Sequence, residues 1–128
     1  GGRNVPPANI GLRCADEPLV SHAVVYGDGK KFIVAGIWID PEAVAARLAS
    51  EGVDNGARSA AIERLMTEVV ERVNGGLAKF EQIKKFRIME TPLTVAGGLL
   101  TSTLKVRRKK VYEVFAREFE ALYGDAGP

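Results

Sequence analysis

The stretch Val20-Ser-His-Ala-Val-Val-Tyr-Gly-Asp-Gly-Lys-Lys-Phe-Ile-Val-Ala-Gly-Ile-Trp-Ile39 decides the fold. Two apolar, β-branched runs, Val20 to Val25 and Phe32 to Ile39, flank Gly27-Asp28-Gly29-Lys30, whose residue types favour a tight turn. The stretch is therefore predicted to be a β-hairpin. Asp40-Pro41-Glu42 follows at once, with Asp suited to cap a helix and Pro to open one, so a helix is expected from there to about Ser50.

Upstream of the hairpin, Pro6 and Pro7 set up a short helix from about Ala8 to Ala15, which ends near Pro18. Downstream, Gly52 to Gly56 reads as a loop. Ile62, Leu65, Met66, Val69, Val73 and Leu77 then recur at steps of three and four, which predicts the longest helix over Arg58 to Leu77. Gly75-Gly76 weakens its end by roughly 1 kcal/mol per glycine relative to alanine. Lys84 to Met89 alternates charged and apolar side chains, as a strand with one buried face does. Thr91 to Thr103 is a loop with room for a short strand, and Val106, Val111, Val114, Phe115, Phe119 and Leu122 define one final amphipathic helix. The tail from Gly124 to Pro128 is expected to fray. The pattern predicts one α+β domain over residues 1–128, a small sandwich with a roughly three-stranded, mainly antiparallel sheet covered by helices.

Composition excludes more than it selects. At 128 residues the chain supports one core, and 46% hydrophobic with 27% charged residues is ordinary for a globular protein. The apolar run Phe32 to Ile39 is too short to span a bilayer. One cysteine, Cys14, excludes an internal disulfide, and one cysteine with one histidine, His22, does not make an ordinary zinc site, so no metal ligands are assigned. The default setting is reducing and cytoplasmic. Cys14 reads as a small buried hydrophobe, His22 as an ordinary strand histidine, and Trp38 as core or domain-interface packing. A net charge of +2 is too small to mark a nucleic-acid-binding domain, and no nucleic-acid partner is expected. The start, Gly1-Gly2-Arg3-Asn4, lacks an initiator Met and points to a piece of a longer protein.

The segment that carries chemistry is Gly97-Gly-Leu-Leu-Thr-Ser-Thr-Leu-Lys-Val-Arg-Arg-Lys-Lys110, a glycine- and threonine-bearing loop that delivers Lys105 ahead of a cation-loaded helix start. A charge run of this kind is most often a solvated face. Arg107 to Lys110, however, sit where the helix dipole is positive, which costs a few tenths of a kcal/mol, and an anionic partner would relieve it.

Leu100 to Arg108 resembles the terminal lysine motif of AMP-forming acyl-CoA synthetases of the long-chain fatty acid type, in which Leu-Thr-Pro-Thr-Leu-Lys precedes basic residues. Ser102 stands where that motif has Pro. Phe80 to Met89, the hairpin segment Val24 to Ala35, and Gly2 to Ile10 resemble further blocks of the same family in the same order. Gly11 departs from the family's usual Glu.

The resemblance implies a small C-terminal lid domain whose partner is its own large N-terminal adenylation domain, absent from this sequence. It implies fatty acid, ATP and CoA as small-molecule partners, with Mg2+, all acting in the full-length enzyme and none expected bound to this piece alone. Lys105 is implied as the catalytic lysine of acyl-adenylate formation. Gly2, Arg3 and Asn4, in a glycine loop beside the pantetheine arm, with Arg107 and Arg108, are implied to bind CoA. Any peripheral membrane association is expected through the absent domain. Two alternatives stand beside this reading: an acyl-AMP ligase relative that passes the acyl group to a carrier protein, and a non-enzymatic module using Lys105 to Lys110 with Lys84, Lys85 and Arg87 as an anion-binding patch.

Overall fold

The computed structural model describes residues 6–124. Helix α1 (Pro7–Ala15) leads into strands β1 (Val20–Tyr26) and β2 (Ile33–Ile39), then helices α2 (Pro41–Ser50) and α3 (Arg58–Asn74), strand β3 (Ile83–Ile88), and helices α4 (Arg108–Val114) and α5 (Ala116–Ala121). Short 3-10 turns at Asn55–Ala57 and Lys79–Glu81 bracket α3. The Asp40 carboxylate accepts from the Ala43 amide at 3.1 Å, so α2 starts where its capping residues predict.

The sheet has the expected three strands in the order β1-β2-β3, and the hairpin β1–β2 is antiparallel. β3, however, pairs with β2 in parallel, with Ala35 opposite Phe86 and Ile37 opposite Ile88, so the sheet is mixed rather than mainly antiparallel. The reason is topological: α2 and α3 form a crossover that carries the chain back to the start of β2, and a parallel neighbour requires such a crossover. Asn74, the last residue of α3, locks that return. Its side chain donates to the Ile83 carbonyl at 2.9 Å and accepts from the Ile83 amide at 2.8 Å.

Alternation along β2 splits the interior. Ala35 and Ile37 face α1, α2 and α3, in a core that includes Ile10, Cys14, Val44, Leu65, Met66 and Val69. Val34 and Trp38 face the other way, toward Met89, Leu99, Leu100, Val111, Phe115 and Phe119. Trp38 is core packing, with its indole N–H donating to the Thr91 carbonyl at 2.7 Å and its ring edge-on to Phe115.

The predicted single C-terminal helix is two. Phe115, at φ −104 and ψ 21, ends α4 and precedes α5. Its amide still donates to Val111 and Phe119 still donates to Phe115, so the path bends without losing the ladder. The bend keeps Val111, Phe115 and Phe119 on one twisted sheet face, with the Phe119 ring over the side-chain-free Gly36, whose added Cβ would lie 3.2 Å from that ring.

Candidate functional site: a lysine-bearing turn and a basic cleft

Leu99 and Leu100 are buried in the second core and fix the base of the chemistry-bearing loop. From there the chain makes a small β-turn that returns at Val106, which bridges Leu100 in antiparallel fashion. The Leu104 amide donates to the Thr101 carbonyl at 2.8 Å, and the Thr101 amide donates to the Lys105 carbonyl, also at 2.8 Å. The Thr101 hydroxyl accepts from the Lys105 amide at 3.0 Å and lies 3.1 Å from the Thr103 hydroxyl. These bonds hold the backbone of Lys105 while leaving its side chain in solvent. Among the described residues the Lys105 amine makes no hydrogen bond or ion pair.

Arg107 and Arg108 diverge. The Arg107 guanidinium donates to the Gly98 carbonyl at 3.2 Å and braces the loop. Arg108 is half-buried, lies over the Tyr112 ring at 5.5 Å, and reaches the Tyr112 hydroxyl and the Val25 carbonyl. The Tyr112 hydroxyl donates to that same carbonyl. The two arginines therefore do not form one phosphate-gripping fork.

Arg108, Lys109 and Tyr112 instead line a cleft of about 490 Å³ together with Pro7, Val25, Tyr26, Gly27 and Asp28. Two cations, one carboxylate and two tyrosines meet there. The cleft brings the start of α1 against the start of α4, segments a hundred residues apart in sequence. Gly2, Arg3 and Asn4 lie outside the described residues, a few positions before Pro7. Pro7 and Tyr112 were not legible as cleft residues, although the spacing of Arg108 and Tyr112 by four on a helix was a usable signal of their contact.

A second cleft, of about 760 Å³, lies elsewhere and is lined by His22, Trp38, Arg87 and Glu90 among others. Among the described residues, none of Lys105, Arg107 and Arg108 lines it. Burial lowers the pKa of His22, which favours its neutral form. Burial, reinforced by Glu17, pushes the Cys14 thiol up to about 11, so the cysteine is chemically quiet. Among the described residues no three His, Cys, Asp or Glu side chains cluster to hold a metal ion, and no helix is long and apolar enough to cross a membrane.

The model of the AMP-binding enzyme C-terminal domain matches residues 1–127. The chain belongs to this family. Its relatives include the long-chain-fatty-acid–CoA ligase FadD15 of Mycobacterium tuberculosis, 40% identical over 96% of this chain and 22% of that protein. Human long-chain-fatty-acid–CoA ligase 6 is 31% identical over 95% of this chain and 18% of its own length. Among solved structures, the adenylation domain of a carboxylate reductase from Mycobacterium chelonae superposes with a TM-score of 0.76 at 27% identity, covering 94% of this chain and 18% of that one. The A-PCP didomain of a carboxylic acid reductase from Segniliparus rugosus, in complex with AMP, gives 0.66 at 28% identity, covering 93% of this chain and 16% of that one. The chain thus spans about a fifth of the length of the curated relatives it matches.

Proposed function

We infer that this domain is the lid of a long-chain fatty acid–CoA ligase and that Lys105 is the cation it contributes to acyl-adenylate formation. The observation that carries this reading is the Thr101–Lys105 turn, which clamps the lysine backbone by two hydrogen bonds to Thr101 and leaves its amine exposed and unpaired among the described residues. Activating a carboxylic acid with ATP brings a carboxylate against the α-phosphate, two anions that repel. An ammonium between their oxygens offsets the repulsion and stabilises the charge that spreads in the transition state, a contribution worth several kcal/mol in a water-poor site. A clamped backbone limits how many conformations the lysine must give up on reaching that place.

Thioester formation needs a second surface. The basic cleft suits the phosphates of CoA, with Arg108 and Lys109 as cations and Tyr112 bonded to the Arg108 guanidinium. Arg107 serves the loop, through Gly98, more than the ligand. Since the lysine turn and the cleft lie on one small domain, rotation of the lid would present them in turn to the rest of the enzyme. Mg2+ would be held by that remainder, since the described residues offer no acidic cluster.

Lys105→Ala in the full-length enzyme is expected to remove fatty-acid-dependent exchange of pyrophosphate into ATP, with a loss on the order of 10³-fold. Exchange at the wild-type rate would overturn the assignment. A second reading, in keeping with the likeness to the A-PCP didomain, gives the acyl group to a carrier-protein thiol instead of CoA. Supplying each acceptor to the adenylate-loaded enzyme separates the two.

A further inference from the structure

We propose that Leu104 is a positioning residue for Lys105, and that its exposed side chain is the apolar contact through which the turn seats against the remainder of the full-length enzyme. The proposal rests on the role of Lys105 given above. Leu104 has φ 67 and is the one non-glycine residue at positive φ among the described residues. In that left-handed region a Cβ crowds the backbone, so glycine is the usual occupant, with asparagine next. The hydrogen bonds from Leu104 to Thr101 and from Thr101 to Lys105 define a turn followed by a one-residue bulge, and position 104 is the slot that favours glycine.

A leucine there destabilises the turn, and packing within the domain does not offset it: Leu104 is 63% exposed. Ser102 and Thr103 beside it are also exposed, as a solvated turn would have them. A residue that both strains the backbone and presents apolar surface to water, next to the reactive cation, belongs where the offsetting contact lies outside the domain. The occupant is the acid-activating part of the same enzyme. Relatives of this chain extend far beyond it, since it spans 22% of the FadD15 ligase, and a site that accepts a long acyl chain offers apolar walls for a leucine to meet. Because Leu104 and Lys105 share the bulge opposite Thr101, seating the first fixes the approach of the second.

Leu104→Asn, Leu104→Gly and Leu104→Met test this in the full-length enzyme, by pyrophosphate exchange, by thioester formation from supplied acyl-adenylate, and by thermal unfolding. Asn and Gly suit the left-handed backbone at least as well as Leu, so a role confined to turn geometry predicts full activity in both. Seating predicts that Tm holds or rises while kcat for adenylate formation falls about tenfold or more, with Met restoring most of the rate and thioester formation unchanged. Full exchange activity in the Asn and Gly variants, or equal loss in both half-reactions, overturns the proposal. Lys105→Ala measured alongside separates the two layers. If it retains exchange, the lysine role and the seating role both fall; if it loses exchange while the Leu104 variants keep theirs, only the seating role falls.

Discussion

One face of the sheet is covered by α1, α2 and α3, and the other by α4, α5 and the loop that precedes them. The first cover is built from helices of 9, 10 and 17 residues, whose apolar residues recur at helical spacing. The second is built from helices of 7 and 6 residues and from a loop held by glycine, threonine and backbone hydrogen bonds. Regular packing stabilises the first face, which carries none of Lys105, Arg107 and Arg108. The second face carries Lys105, Arg107 and Arg108, because an irregular chain can put a clamped backbone and a free amine at one tip.

The difference is sharpest in stability. Phe119 is 0% exposed, lies over Gly36 and stacks on Tyr26 at 5.1 Å, so it holds α5 to the sheet. Phe119→Ala is expected to cost about 4 kcal/mol in denaturant unfolding. If the loss were under 1 kcal/mol, on the order of a surface change, the second face would not be a core. On the first face, Gly11 brings α1 onto β1 so closely that a Cβ would lie 2.7 Å from the Ala23 carbonyl oxygen. Gly11→Ala should therefore destabilise by about 2 kcal/mol, although alanine is the better helix former. A stabilised variant would show that this contact yields freely.

Each face also holds one buried acid whose pKa is raised. Burial, with Glu17, lifts Cys14 from 9.0 to about 11. Burial, with Tyr26 and Glu120, lifts Tyr123 from 10.0 to about 12, and its hydroxyl donates to the Phe32 carbonyl at 2.8 Å. The native protein keeps both protons at a pH where the unfolded chain releases them. Stability is therefore fully present below about pH 9 and is lost as pH rises toward 11 and 12. A Tm that stays level across that alkaline range would contradict both assignments. The smallest effect belongs to the turn: Ser102 occupies a corner where proline is favoured, so Ser102→Pro should add about 0.5 kcal/mol without slowing adenylate formation. A drop in Tm would show that its backbone does not fit proline.

Much of the first face was legible in the sequence. Asp40-Pro41 marked the start of α2 and the three- and four-residue recurrence marked α3, although α3 ends at Asn74, ahead of Gly75-Gly76, and not at Leu77 as the recurrence suggested. The parallel pairing of β3 was not legible, because alternation shows which face of a strand is buried and not which direction it runs. Nor was the bend at Phe115, since Val111, Phe115 and Phe119 keep helical spacing through it. At the site, the motif located Lys105 and its exposed loop. It did not separate Arg107 from Arg108, which are neighbours in sequence but turn toward Gly98 and Tyr112, partners supplied by tertiary structure.

The most direct measurement follows both half-reactions in one enzyme carrying Lys105→Ala: adenylate formation from fatty acid and ATP, and thioester formation from acyl-adenylate supplied ready-made. Loss of the first with the second intact is the expected result. An adenylation rate that survives without the amine, or equal loss of both steps, would contradict the placement of Lys105 between the reacting anions.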